Sequence, residues 1–279
     1  MAEVLARLNQ REGNLIKGNT LVVGLGEVGS ALAEVLERTY PGLLRLDIEP
    51  RDLSDEIGIM HICIPYQTSQ QFETAVLDYI ARFTPGLTII NSTVVPGTTR
   101  RIASRSRAAI AYSPVRGKHA HMTDDLIRYF KFVASDSDGA TAKAEEHFAA
   151  AGIRTRRIAK TETLELAKLA ETTYFGIQIA FAQELNRFAD SLGADYSQAI
   201  DFFEEIDFLP RPRYYPGFIG GHCVVPNIHL LKRLMSSPLL DAVLDSNQRR
   251  AAELAADERS SESLQEGQTA HETKVLVHR

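Results

Sequence analysis

The 279-residue chain has no tryptophan, four methionines and only two cysteines, Cys63 and Cys223. Two cysteines this far apart make neither a disulfide framework nor a cysteine-based zinc site, so each needs its own explanation. No apolar run reaches the roughly eighteen residues that span a bilayer. The N-terminus "MAEVLARLNQREGN" also lacks the apolar centre of a signal peptide. The expected location is therefore the cytoplasm, with no membrane partner. Basic charge is not in excess: 31 Lys and Arg face 36 Asp and Glu, for a formal charge of −5. With no basic cluster either, nucleic acid is not expected as a partner. No internal repeat is evident. What remains, 44% hydrophobic and 24% charged residues, is the composition of a globular chain with a real core, whose partners are small molecules or protein.

Apolar runs at 20–24 ("TLVVG"), 43–47, 57–65, 87–91, 108–113 and 129–135 predict strands, most of them separated by stretches with helical periodicity, and a last helix, "TAKAEEHFAAAG", followed by a strand at "RTRRI" (154–158) completes the series. Strands alternating with helices of this length imply a parallel sheet covered on both faces, in the doubly wound arrangement. Past Lys160 the texture changes. Residues 163–191 hold helical periodicity with no proline and one interior glycine, Gly176. Further helices are predicted at 195–206, 228–235 and 238–256, the first two separated by the proline-rich loop "FLPRPRYYPGFIGG". From Ala256 the polar, aperiodic sequence reads as a solvated, mobile tail. The division expected is 1–160, an α/β dinucleotide-binding domain; 161–255, a long central helix and a smaller all-helical domain; and 256–279, the tail.

Gly24, Gly26 and Gly29 form G-x-G-x-x-G, with Glu27 and Val28 inside it, between a predicted strand and a predicted helix. In that context the motif has physical meaning. The first glycine permits a tight turn, the second lets backbone approach a pyrophosphate, and the third lets helix and strand pack closely. The helix N-terminus adds amide donors and a positive dipole. Asp47 closes the second predicted strand, where a carboxylate accepts from an adenosine ribose and repels a 2′-phosphate, so NAD is favoured over NADP. FAD is a lesser alternative, and a glycine turn without a ligand is the bland one.

Four more segments follow in order: "STVVPGTT" (92–99), "YSPVRG" (112–117), "ELAKLAETTYFGIQIAFAQELNRFAD" (165–190) and "GGHC" (220–223). With the glycine turn they resemble the UDP-glucose/GDP-mannose dehydrogenases, the nucleotide-sugar 6-dehydrogenases, over most of residues 18–250. The resemblance implies a Rossmann-type doubly wound domain followed by a central helix and a helical domain that pairs with a second subunit, hence a homodimer. It implies oxidation of a sugar CH–OH group with NAD, through an aldehyde captured as a thiohemiacetal and then a thioester. By the same resemblance Cys223 is the nucleophile, Lys168 stabilises the oxyanion and Thr93 orders a catalytic water. Pro65 and Thr93 adjoin the cofactor, and Thr172, Gly221, His222 and Asn227 adjoin the substrate.

Three positions depart from the family pattern: Val115 stands where it has glutamate, Thr172 where it has asparagine and Asn227 where it has aspartate. Valine cannot order water or accept a proton and asparagine is no base, so thioester hydrolysis loses both carboxylates, whereas Thr172 keeps a hydroxyl to donate. The sequence also ends before the family's C-terminal nucleotide-gripping domain, so a short form with a smaller or different substrate is expected. Two alternatives therefore stand beside the dehydrogenase: an NAD-binding, catalytically impaired homologue with a sensor or partner role, and a two-electron hydroxyacid-type dehydrogenase using Lys168.

Other residues have bland readings. Cys63 lies in an apolar strand and reads as packing. His119, His121, His222 and His229 have no metal-ligand spacing, and no metal is expected. Arg211 and Arg213 read equally as anion contacts or as a solvated loop. For Cys223, the glycine pair Gly220–Gly221 and a helix expected to begin near Asn227 point to a reactive thiol facing the nicotinamide pocket; a buried inert cysteine is the alternative.

Overall fold

A computed structural model describes residues 17–48, 53, 55–117, 121–204, 215–221 and 223–276. The chain divides into two compact units, 1–169 and 170–279. The division falls nine residues beyond the expected one, because the first turns of the central helix pack with the first unit: Leu164 is buried in one of its cores.

The first unit is a seven-stranded sheet in the order β2-β1-β3-β4-β5-β6-β7. Its strands are β1 (Asn19–Val23), β2 (Leu44–Leu46), β3 (Ile57–Ile62), β4 (Leu87–Ile90), β5 (Ile110–Tyr112), β6 (Lys131–Ala134) and β7 (Thr155–Ile158). Its helices are α1 (Glu27–Glu37), α2 (Ser69–Phe83), α3 (Thr98–Ser106), α4 (Met122–Arg128) and α5 (Asp138–Ala150). The period-2 alternation of a strand is visible in β1. Val22 packs into one core with Leu32 and Leu36 of α1 and Phe148 of α5. Its neighbours Leu21 and Val23 pack into the opposite core with Phe72, Val76 and Ile80 of α2. Both faces are therefore covered, as a continuous apolar strand requires. The strand order reverses between β1 and β3, whose connections leave to opposite faces. A doubly wound sheet binds ligands at such a switch point, outside the carboxyl ends of the strands.

One expectation is corrected. The sheet is not wholly parallel: β6 pairs antiparallel with β5, with Tyr112 opposite Ala134, and β7 follows β6 in parallel. Strand direction leaves no trace in an apolar run, so periodicity alone cannot read it.

The central helix, α6, is continuous over Thr161–Leu192. In the second unit it is joined by α7 (Tyr196–Glu204), α8 (Val224–Lys232) and α9 (Pro238–Leu276). Gly176 is the contact point of α6 with α8, since a Cβ there would come within 2.7 Å of Val224 Cγ1 and 3.3 Å of Ile228 Cδ1. Around it Ala180, Ile219, Val224, Ile228, Leu240 and Val243 form a small core. Two expectations change here. Helix α8 starts at Val224, earlier than Asn227, and α9 continues to Leu276, through the stretch read as an aperiodic tail. A polar, aperiodic sequence does not by itself exclude a helical backbone. Among the described residues no helix is long and apolar enough to cross a membrane.

A polar chain crosses the core of the first unit. Asn91 Nδ2 donates to Ile89 O at 3.1 Å, which fixes the amide's orientation, and to His61 Nδ1 at 3.2 Å. His61 must then carry its proton on Nε2, which donates to His147 Nε2 at 2.9 Å. His147 therefore holds its proton on Nδ1, an atom buried without a partner. Burial drives the pKa of His147 down from 6.5 to about 3. For a group depressed on folding, the stability it contributes is complete above the unfolded pKa, near 6.5, and is lost as the pH falls toward 3. We expect urea midpoints to drop between pH 7 and pH 4.5. His147→Phe should cost about 1–3 kcal/mol at pH 7, by stranding the His61 donor, and should make the acid dependence shallower. An unchanged acid slope would show that the histidine pair is not its source.

Candidate functional site

The glycine turn of the first unit joins β1 to α1 at the switch point. Gly24 has φ +87°, in the left-handed region, and a Cβ on it would lie 2.9 Å from the Cys63 carbonyl group. A Cβ on Gly29 would lie 1.8 Å from Gly24 O, so no side chain fits between helix and turn. Gly26 is different. It caps α1 in extended conformation, and a Cβ there meets nothing within 4 Å. The two outer glycines thus serve the fold, while the middle one leaves the amide end of α1 open. Glu27 and Val28 form its first turn. Gly24 donates to Leu46 O at 2.8 Å, which brings the end of β2 alongside the turn. Asp47 follows directly and is exposed. These residues fit a dinucleotide: open space at Gly26 that a Cβ would enter and a pyrophosphate can occupy, amide donors, and a solvent-facing carboxylate at the adjoining strand end.

The loops after β3 and β4 form the same edge. Ser92 Oγ donates to Ile64 O at 2.6 Å and ties them together, with Pro65 exposed and Thr93 half-buried beside that tie. The helix after Thr93 is held by a residue the motif reading passed over. Helix α3 has Gly97 as its N-cap, with φ +88° and no side-chain cap of its own. The fully buried Glu165 of α6 supplies one: it accepts from Gly97 N at 2.6 Å, from Thr99 N at 2.8 Å and from Thr99 Oγ1 at 2.6 Å. Burial raises the Glu165 pKa, and these three donors oppose that. Lys168, half-buried, stands three residues further along α6. The carboxylate therefore fixes the helix carrying Lys168 against the segment carrying Thr93. The sequence offered little signal, since of the positions three and four residues away on the helix, Thr161, Glu162, Lys168 and Leu169, only the last is apolar.

The reversal of β6 has a chemical consequence. Its first residue, Lys131, comes to the carboxyl end of β5, where Nζ donates to Ser113 O at 2.8 Å and Pro114 O at 3.4 Å. This ammonium is only 4% exposed, and no ion pair reaches it among the described residues. Burial brings its pKa down from 10.5 to about 7; Cys63 opposes the shift, while the charges of Lys168 and Arg116 add to it. Cys63 lies under the turn, its backbone N–H on Val23 O at 2.8 Å, and burial pushes its thiol up to about 12. Val115 is buried in the same loop, among apolar neighbours. A lysine depressed on folding is costliest below its folded pKa, near 7, and the cost fades as the pH rises toward 10.5. Lys131→Met should therefore stabilise the chain at pH 6, on the order of a few kcal/mol, with the gain shrinking by pH 10. A gain independent of pH would show that Lys131 is not buried as an amine of depressed pKa.

The second unit holds Thr172, Gly221, Cys223 and Asn227. Asn227 Nδ2 donates to Thr172 Oγ1 at 2.8 Å, so the threonine hydroxyl accepts from the asparagine. These are two of the three positions that depart from the family pattern, and they pair with each other. Cys223, half-buried, is the N-cap residue of α8, and Gly221 stands two residues before it with φ +76°. His222, His119, Arg211 and Arg213 lie outside the described residues. Among the described residues no group of three or more His, Cys, Asp or Glu gathers as metal ligands.

Comparison with known proteins agrees with these motifs. Residues 162–249 match the UDP-glucose/GDP-mannose dehydrogenase family, central domain. The UDP-N-acetyl-D-mannosamine dehydrogenase of Pyrococcus horikoshii is 25% identical over 251 residues, covering 82% of this chain and 56% of its own length. Matches to such curated relatives span from 33% to 61% of their lengths. In solved structures the fold is similar to the UDP-D-ManNAc dehydrogenase of P. horikoshii, with TM-score 0.74 and 20% identity over 85% of this chain and 70% of that one. It is also similar to Mycobacterium tuberculosis 3-hydroxyisobutyrate dehydrogenase, with TM-score 0.67 and 15% identity over 84% of this chain and 94% of that one. The chain resembles the nucleotide-sugar dehydrogenases in sequence and in fold.

Proposed function

We propose, from a central segment shared with the UDP-glucose/GDP-mannose dehydrogenases, that this chain is an NAD-dependent oxidoreductase acting on a CH–OH group. The observation that carries the reading is the glycine turn, closed to any side chain at Gly29 and open at Gly26. There Gly24, Gly26, Glu27, Val28 and Gly29 hold a pyrophosphate at the amide end of α1, Asp47 accepts from the ribose, and Pro65 and Thr93 border the nicotinamide. NAD supplies a hydride acceptor when bound. Lys168 holds the substrate oxygen as its proton leaves. Cys223 adds to the resulting aldehyde, forming a C–S bond while the thiol proton passes to the carbonyl oxygen. Loss of a second hydride, to a second NAD, together with the hydroxyl proton of the thiohemiacetal would leave a thioester on Cys223; Val115 and Asn227 offer no carboxylate to activate water, so the acyl group stays there. A two-electron oxidation of a hydroxy acid, with Lys168 as the acid/base and Cys223 incidental, is the second reading. It is favoured by the match over 94% of the hydroxyisobutyrate dehydrogenase chain.

The test combines cofactor titration with NADH formation across nucleotide sugars, free sugars and hydroxy acids. NAD should bind at least about tenfold tighter than NADP, and Asp47→Ala should erase the preference. Equal binding of both cofactors by the native chain would overturn the cofactor assignment. Cys223→Ser should leave the first turnover and abolish the acyl adduct in intact-mass analysis. Full NADH production without any adduct in the native chain selects the second reading, and NAD binding without NADH from any substrate selects the impaired homologue.

The reading includes a homodimer. Helix α6 exposes Tyr174, Phe181, Phe188 and Leu192 in the second unit, and apolar side chains on so much of one helix call for cover. Light scattering should give twice the chain mass; a single-chain mass throughout the micromolar range would refute it.

A further inference from the structure

Residues 215–221 lead to Cys223 without helix or strand, and their own backbone bonds are two short turns, Gly217 N to Tyr215 O at 2.8 Å and Gly220 N to Phe218 O at 3.0 Å. A segment of this kind, with three glycines, has many conformations open to it. Its order comes from outside. Asn247 of α9 grips the backbone of Ile219 on both sides: Oδ1 accepts from Ile219 N at 2.7 Å and Nδ2 donates to Ile219 O at 3.1 Å. Gln183 of α6 donates through Nε2 to Gly217 O at 2.6 Å and to Asn247 Oδ1 at 3.3 Å, and its Oε1 accepts from Ser246 Oγ at 2.9 Å. Arg187 Nη1 donates in turn to Ser246 Oγ at 3.1 Å.

Gln183, Ser246 and Asn247 are 0%, 2% and 6% exposed, and Ile219, at 4%, points into the apolar core with Val224 and Ile228. A buried polar set of this kind is stable only when every member is paired, so it admits one register of the segment and rejects a slip by one residue. Ile219 is clamped on one side of Cys223, and Val224, on the other, packs into the same small core beside Gly176. The thiol is thereby held between two fixed points four and one residues away.

We propose that Asn247 and Gln183 are positioning residues for Cys223, holding the backbone of Gly217–Ile219 in the one register that delivers the thiol to the N-terminal end of α8. The inference rests on the reading of Cys223 as the reacting thiol, but its geometry is independent of any substrate. The experiment uses the full chain. Hydrogen exchange on the native protein should protect the Ile219 amide to the level of core helix amides, at least about a hundredfold above the flanking Gly220. Iodoacetamide labelling followed by peptide mass mapping should then show Asn247→Ala changing the Cys223 rate at least about tenfold, with Cys63 unchanged. Asn247→Asp, which keeps the acceptor for Ile219 N–H, and Gln183→Met should fall between. Selective movement at one of two cysteines, with partial rescue by aspartate, is not what general loosening of the fold gives.

An unprotected Ile219 amide in the native chain overturns the proposal even where Asn247→Ala does not fold. So does a folded Asn247→Ala with native labelling of Cys223. If the Ile219 amide is protected while Cys223 in the native chain resists alkylation altogether, the clamp stands and the nucleophile reading fails.

Discussion

The first unit depends on one contact in which nothing but hydrogen fits. A Cβ at Gly29 would overlap Gly24 O at 1.8 Å, so α1 can lie on β1 and β3 only because that position carries no side chain. The approach has two effects. It brings Leu32, Val35 and Leu36 onto the sheet, where they are nearly inaccessible, each contributing on the order of 1.5–3 kcal/mol of burial. It also aims the amides of the first helical turn across the carboxyl edge of the sheet, next to the end of β2 and Asp47. Packing and the proposed dinucleotide site share one geometric requirement, and the geometry of the edge is set by how closely α1 approaches.

Around that edge two buried charged groups, Glu165 and Lys131, are held in different ways. Glu165 builds: its carboxylate closes the open end of α3 and ties α6 to the segment following β4. Lys131 is less readily assigned to structure alone, since a buried ammonium held by two carbonyl groups forfeits most of its hydration. Its location follows from the reversal of β6. A parallel β6 would start at the opposite end of the sheet and leave this lysine far from Cys63 and Lys168. The family resemblance directs attention to Val115, and the structure adds that the buried amine is anchored on the two residues just before it.

The second unit solves a different problem with similar means. Its apolar core is small, and the chain entering α8 is rich in glycine. Hydrophobic burial, which has no direction, cannot choose a register for such a segment, and the amide groups of Gln183 and Asn247 can. The pairing of Asn227 with Thr172 follows the same logic. Replacing two family positions together leaves a satisfied pair rather than two orphaned groups.

Much of this was legible in the sequence. The seven strands, the long helix through Gly176 and the glycine turn follow from periodicity and from the few residues that tolerate a left-handed or crowded backbone, properties each stretch carries locally. The quoted motifs single out Lys168, Thr93 and Cys223 by the pattern of their sequence neighbours, and the roles proposed for them rest on that resemblance. Strand direction was not legible, since β6 runs antiparallel to β5 with the same apolar run that would serve a parallel strand. Nor were the partners of Glu165, Lys131 and Asn247, which lie from 17 to 68 residues away in the chain and, for the last two, involve backbone groups every residue possesses. The helical course of α9 was missed because its polar stretch carries no apolar period. Local chemistry was written in the sequence; which buried polar group meets which was decided when the chain closed on itself, because only then does each donor lose water and have to take whatever acceptor the fold has placed beside it.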